Sequence, residues 1–185
     1  MMAKTYIITS LSFILFSLSA FATDHSTDSI QVKSNNIDNI SKKIGFELTE
    51  SYTRYIPLYA EAVKWLGVRY RRGGMTQKGI DCSGLTCVIY KNVFNEQLHR
   101  RSIDISRSVD SVVRKEDLQP GDLVFFATRG RKNINHVGIF LGNRKFIHAS
   151  LNKGVVISSL DEAYYQRSWR KGGRNRGVDF SDSKL

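Results

Sequence analysis

Residues 136–150 read His136-Val137-Gly138-Ile139-Phe140-Leu141-Gly142-Asn143-Arg144-Lys145-Phe146-Ile147-His148-Ala149-Ser150. Two apolar runs meet at the turn-forming pair Gly142-Asn143, which predicts antiparallel strands from His136 to Leu141 and from Lys145 to Ser150. Loop parity then decides which side chains share a face. A two-residue loop at Gly142-Asn143 would pair Leu141 with Arg144 and His136 with Ala149, and alternation would send His136 and His148 to opposite faces. A three-residue loop, Gly142-Asn143-Arg144, pairs Leu141 with Lys145 and Gly138 with His148, and leaves the two imidazoles diagonal on one face. Two histidines acting together therefore require an odd loop or a bulge here, with Gly142 or Asn143 at positive φ. Gly138 suits that register, since a larger side chain opposite His148 would crowd the rings.

Working outward, Pro120-Gly121 marks a turn into Leu123-Val124-Phe125-Phe126, a short buried strand, and Val155-Val156-Ile157 supplies a fourth. Upstream the period changes. Tyr52, Tyr55, Ile56, Tyr59, Ala60 and Val63 fall on one face of a helix that Gly67 is placed to stop. A second helix starts near Cys82, with Leu85, Val88, Ile89 and Val93 on one side and Cys87, Tyr90 and Phe94 adding apolar surface, so it should be largely buried. The segment from His99 to Lys115 is polar and rich in Ser and Arg. Helices first and antiparallel strands later indicate an α+β domain with one core, helices packed on the sheet, which suits a chain of 185 residues and 21.0 kDa.

Asp81-Cys82-Ser83-Gly84 lies where a loop enters the second helix. A thiol there feels the positive end of the macrodipole and should have a lowered pKa; Asp81 is placed to cap the helix, and Gly84 lets another backbone or a substrate approach closely. Cys87, inside the helix, reads as a buried structural residue. The spacing of Cys82 and Cys87 argues against a mutual disulfide, and no CxxC or CxxH pair points to a metal. Of the four histidines, His25 falls in a polar leader and His99 in a charged loop. His136 and His148 remain, at one end of the hairpin: His136 suits a general base for Cys82, and His148 a polar partner that orients it.

These stretches together resemble the NlpC family of cell-wall peptidases, small murein endopeptidases of the NlpC/Spr type with a permuted papain-like fold and a Cys-His-His centre. The resemblance is carried by Leu66-Gly67-Val68-Arg69-Tyr70-Arg71-Arg72-Gly73-Gly74, by Asp81-Cys82-Ser83-Gly84-Leu85, by Pro120-Gly121-Asp122-Leu123-Val124-Phe125-Phe126, and by the hairpin from His136 through Ile147-His148-Ala149. It implies that Cys82 is the nucleophile, His136 the general base and His148 the third polar member. Tyr70, before the Gly-Gly pair, is expected beside the nucleophile, where its hydroxyl would help the Cys82 N–H stabilise an oxyanion; otherwise it is an ordinary buried aromatic. The chain departs from the family at Leu98-His99-Arg100, where many relatives have Leu-Pro-Arg, and at Ile105 and Ser106, where a Gln is common.

The resemblance implies a monomeric thiol protease, without metal or organic cofactor, that hydrolyses amide bonds in peptidoglycan stem peptides. The scissile bond is either the cross-link to D-Ala or the γ-D-Glu to diaminopimelate bond. Two rivals use the same residues: an acyltransferase or amidase with the same Cys-His centre, and a wall-binding module whose site is idle.

Lys4 precedes an apolar stretch ending in Ala20-Phe21-Ala22, which reads as a signal peptide over residues 1–22. The run falls a little short of the roughly 20 residues a spanning helix needs, and no cysteine precedes Cys82 to carry a lipid. Expectation therefore places the mature protein in the periplasm or outside the cell, with no integral membrane segment. Residues 23–50 read as a flexible polar leader, 51–178 as the peptidase domain and 179–185 as a tail. The formal charge is +11, and from Arg129 to Arg176 eleven basic residues face two acidic ones. That basic stretch is expected to form a rim that attracts an anionic wall polymer. Nucleic acid is the rival polyanion, but no recognition motif is present.

Overall fold

The computed structural model describes residues 25–175 together with Gly177 and Phe180, with side chains described from residue 35 onward. The signal peptide expected over residues 1–22 lies outside the described residues, as does most of the tail. Among the described residues five α-helices and eight strands follow in order: α1 His25–Ile44, α2 Ile56–Trp65, β1 Met75–Thr76, β2 Gly79–Ile80, α3 Cys82–Phe94, α4 Ser102–Ser108, β3 Ser111–Val113, β4 Leu123–Phe126, β5 His136–Gly142, β6 Lys145–Ser150, β7 Gly154–Ser159, α5 Ala163–Ser168 and β8 Trp169–Arg174. β1 and β2 form a small hairpin. The rest build one antiparallel sheet in the order β3-β8-β4-β5-β6-β7, with α3 packed across β5 and β6. The α+β class expected from the sequence is the one observed.

Both faces of this sheet are covered, which is why Leu123-Val124-Phe125-Phe126 is apolar at every position. Leu123 and Phe125 join Val137, Ile139, Ile147 and Ala149 against Leu85, Ile89 and Tyr90 of α3. Val124 and Phe126 face the other way and join Phe140, Phe146, Leu160 and Tyr165. Each phenylalanine buried here contributes about 2–3 kcal/mol.

The flexible leader is corrected. Residues 25–44 are helical, and Ile40, Ile44 and Phe46 are buried in the core while Ile37 is half-buried. Ile37, Ile40 and Ile44 stand at i, i+3 and i+7, a helical spacing that the surrounding Ser, Asn, Asp and Lys obscure. Gly45, at φ 81°, ends the helix. The boundary at residue 179 is also too early to leave only a tail, because Phe180 packs edge-on against Tyr55 and Phe94.

The first predicted helix is shorter than expected. Glu50–Tyr55 is a 3-10 turn and the α-helix starts at Ile56, with Leu58, Glu61, Ala62 and Trp65 buried beside the expected Tyr59, and Tyr52, Tyr55, Ile56, Ala60 and Val63 only half-buried. A 3-10 turn advances about 120° per residue against 100° in an α-helix, so a face counted across the junction loses phase. Gly67 does stop α2, at φ 82°, and the following backbone pairs with the edge of β7 through Gly67 N–H to Val155 O and Val155 N–H to Val68 O.

Part of the basic stretch is structural. Trp169–Arg174, within that stretch, is an interior strand between β3 and β4. Arg174 makes a two-pronged ion pair with the buried Asp122, at 2.6 and 2.7 Å, and Lys171 donates to the Ser106 carbonyl. Two of its cations are therefore fastening the sheet. Gly172 and Gly173 are required there, since a Cβ would lie 2.8 Å from Val113 O and 2.7 Å from Val109 Cγ1.

The β5–β6 register pairs Ile139 with Ile147 and Phe140 with Phe146, then shifts so that Gly142 pairs with Lys145. Leu141 is thus the extra residue of a bulge. Asn143 and Arg144, at φ 42° and 57°, form the two-residue turn, and Gly142 is at 107°. Turn plus bulge gives the same offset as a three-residue loop, and His136 and His148 share a face. A Cβ on Gly138 would lie 2.8 Å from Ile147 O and 3.2 Å from His148 Cβ.

Candidate active site

Asp81 organises the start of α3. Its Oδ1 accepts from Gly84 N–H at 2.7 Å, the capping bond expected from the sequence, and its Oδ2 accepts from Gly73 N–H at 2.7 Å. Arg100 closes on both oxygens at 2.8 and 2.9 Å, and also donates to Ser83 Oγ at 2.8 Å and Gly74 O at 3.2 Å. Burial alone would raise the Asp81 pKa; the Arg100 hydrogen bonds, with those from Gly84 and Gly73, outweigh it and hold the carboxyl below its ordinary value. Gly84 admits the Gly74 carbonyl, which would lie 2.3 Å from a Cβ there. The departure at His99 leaves Arg100 in place: His99 is exposed, and its carbonyl accepts from the buried Cys87 thiol at 3.3 Å.

Cys82 is buried at the first position of α3. Its expected acidity is overturned. Burial pushes the thiol up to about 11, and the Asp81 carboxylate adds to the rise against a hydrogen bond from the Val137 N–H. The cap that starts the helix also sets a negative charge beside the sulfur, so the macrodipole does not prevail.

Tyr70 is brought alongside by a bridge to Ile80, supported by Arg71 N–H to Ile80 O and Ile80 N–H to Arg69 O. Burial, and then the neighbouring Cys82, raise its hydroxyl pKa, so it remains a donor at neutral pH.

His136 Nε2 and His148 Nδ1 lie 3.0 Å apart. The far nitrogen of His148, Nε2, meets Tyr165 Oη at 3.1 Å and Ser158 Oγ at 3.3 Å. Burial pushes His136 down to about 4; burial and then the His136 charge push His148 well below its usual range. Thiol and both imidazoles are neutral at pH 7.

Two cavities meet at His136. One, about 490 Å³, is lined by Tyr70, Cys82, His136 and three arginines; the other, about 350 Å³, by His136, His148, Leu151, Tyr164 and Tyr165. The cleft thus brings together all four residues singled out in the sequence, with His148 reached through His136. Sequence reasoning missed Tyr165 and Ser158, which belong to no motif. It left Arg100 without a role, although its place after the second helix marked the loop as one to watch.

A helix-start thiol that shares a cavity with one of two hydrogen-bonded imidazoles on an antiparallel sheet is the arrangement of a cysteine peptidase. Comparison with known proteins is specific: the NlpC/P60 family pattern matches residues 67–174, and the chain belongs to that family. It is 42% identical over 127 residues to the probable endopeptidase NlpC of Escherichia coli, covering 69% of this chain and 82% of that one. It is 35% identical over 153 residues to the murein DD-endopeptidase MepS/murein LD-carboxypeptidase of the same organism, covering 83% of this chain and 76% of the relative. Among solved structures, an NlpC/P60 family protein from Bacillus cereus superposes with a TM-score of 0.60 at 33% identity, over 64% of this chain and 39% of that one.

Proposed function

We propose that this chain is an exported, monomeric cysteine peptidase that hydrolyses amide bonds in peptidoglycan stem peptides, with Cys82 as nucleophile, His136 as general base and His148 as its orienting partner. The observation that carries the reading is the 3.0 Å bond between His136 Nε2 and His148 Nδ1 at the wall of the cavity that holds Cys82. The murein endopeptidases among its relatives support the substrate class.

That bond leaves His136 Nδ1 as the nitrogen that serves the thiol. As Cys82 Sγ attacks the scissile carbonyl carbon, its proton passes to Nδ1. The oxyanion is met by the Cys82 N–H and the Tyr70 hydroxyl. The imidazolium returns the proton to the leaving amine as the C–N bond breaks, leaving a thioester on Cys82. Water then attacks the thioester, deprotonated by the same nitrogen, and the thiol is restored.

Digestion of purified muropeptides, followed by mass analysis, tests the reading and identifies the bond. New amine and carboxylate termini are expected. Transfer of an acyl group to an added amine with no hydrolysis would indicate an acyltransferase, and binding without turnover an idle wall module.

A further inference from the structure

We infer that the cavity beyond His136 is a sugar site, in which Tyr164 and Leu151 hold an N-acetylated hexose of the glycan that carries the stem peptide. The inference rests on the peptidase reading and adds a second part of the substrate to it.

Proton transfer leaves much of this wall unused. Four large apolar side chains are exposed among the described residues, and two of them, Leu151 at 52% and Tyr164 at 45%, line this one cavity of about 350 Å³; Met75 and Val112 lie elsewhere. Apolar side chains scattered singly over a surface need no ligand, but two that share a concave wall form a patch for a ligand to cover. The cavity meets the one that holds Cys82 at His136, and Leu151 lines both. A sugar in one half and a peptide in the other thus belong to one substrate.

The fold presents both side chains firmly. Tyr164 stands in the first turn of α5, where its ring meets that of Tyr165 edge-on at 5.1 Å and its carbonyl accepts from Ser168 Oγ at 2.7 Å. Tyr165 in turn packs against Phe126 and Phe146, so one ring anchors the pair and the other is offered to the cleft. Leu151 stands in the turn between β6 and β7, which the Ser150–Gly154 pair closes. Gly154, at φ 71°, lies so close to the backbone after α2 that a Cβ would come within 2.5 Å of Val68 O. The turn is therefore backed by that segment.

The ligand chemistry follows from the mixture of groups. A pyranose has a face of C–H groups, which packs on the electron-rich face of an aromatic ring, and a rim of hydroxyls. Ser150 and Asn152 set a hydroxyl and a carboxamide beside the apolar pair, each able to donate and to accept, as sugar hydroxyls and an acetamido group require, and Arg129 adds further donors. Leu151 suits the acetamido methyl. No Asp or Glu lines this cavity, so nothing there pairs with a peptide amine. An apolar peptide side chain would cover Tyr164 and leave the polar groups without use, whereas a neutral sugar uses both kinds.

The test compares a stem peptide that retains its disaccharide with the same peptide freed of it, using the full chain. The kcat/KM of the wild type should favour the glycosylated peptide by about tenfold, mainly through KM. Tyr164→Phe should keep that preference, and Tyr164→Ala should bring the ratio toward one. A disturbance passed through Tyr165 to His148 would lower turnover of both peptides alike and leave the ratio as it was. An unchanged ratio in Tyr164→Ala therefore overturns the inference, as does equal cleavage of both peptides by the wild type. N,N′-diacetylchitobiose added to Cys82→Ala gives a readout without turnover. The Tyr164 ring and Leu151 methyl resonances should shift, and the Leu151 shift should be lost when Tyr164→Ala is added; no shift, or a Leu151 shift that survives, overturns the inference. Disaccharide binding with no cleavage of either peptide by the wild type would defeat the peptidase reading and leave the sugar site standing.

Discussion

His136 Nε2 faces His148 Nδ1 across 3.0 Å with the ring planes at 85°, and this one bond couples the tautomers of both imidazoles. For His136 to receive a proton at Nδ1, its Nε2 must carry hydrogen and donate to His148 Nδ1. His148 then carries its own hydrogen on Nε2, where Tyr165 Oη and Ser158 Oγ wait as acceptors.

Either hydroxyl suffices for that last bond. Tyr165→Phe and Ser158→Ala should each keep most activity, whereas the double variant strands a buried N–H and should lose about tenfold in kcat with little change in KM. The ¹⁵N shifts of the His148 ring should show the tautomer locked in the wild type and mixed in the double variant. A locked ring in the double variant would show that His136 alone sets the tautomer.

Acid should act on the same pair. The competent state has neutral His136, so kcat/KM should be flat from neutrality down to about pH 5 and fall as His136 protonates near 4. An acid limb centred near 6.5 would contradict this. Stability has a definite sign too. Both histidines are depressed in the folded state, so the unfolded chain binds more protons below its pKa of about 6.5, and stability is lost as pH falls from there toward 4. Thermal midpoints measured over that range should decline, and decline less in His148→Gln.

Arg100 clamps Asp81, the cap of the helix that Cys82 opens. Arg100→Ala should lower stability by about 1 kcal/mol, a modest amount because the guanidinium is 37% exposed and water screens it. The larger effect should fall on kcat, since the start of α3 loses the clamp that holds Ser83 and the Gly74 carbonyl. Arg100→Lys should recover stability better than kcat, because an ammonium cannot bridge both carboxylate oxygens. Equal kinetics in wild type and Arg100→Ala would refute the positioning role.

The two thiols should separate cleanly. Cys82→Ala should lose about a thousandfold or more in turnover with an unchanged fold, checked by circular dichroism. Cys87→Ala, which loses the thiol's bonds to the Leu98 and His99 carbonyls, should cost about 1 kcal/mol in stability and keep most activity. Full activity in Cys82→Ala would remove the basis of the peptidase reading.

The hairpin and the cap were legible because they rest on local rules. Alternation, one turn-forming pair and two histidines were enough to demand an odd offset, and Asp81 announced itself one residue before an apolar helix. What escaped notice depends on distant partners. Arg100 is 19 residues from the carboxylate it clamps, and Tyr165 is 17 from His148. Trp169–Arg174 shows no alternation because two glycines face crowding neighbours and Arg174 is paired with the buried Asp122. Composition misled at Ile37, Ile40 and Ile44, where spacing was the better guide. The acidity of Cys82 depends on burial, which a helix-start position does not reveal.

β8 lies between β3 and β4, so the sheet cannot close until Trp169–Arg174 has arrived. Until then β3 and β4 present open edges, and Asp122 waits in an apolar slot without Arg174. Consecutive strands β4 to β7 can pair as they emerge, whereas β3–β8 and β4–β8 join segments distant in sequence and form last. A chain halted before Trp169 leaves Cys82, His136 and His148 synthesised but the sheet beneath them unfinished. Ripening of the site is thus coupled to the arrival of β8.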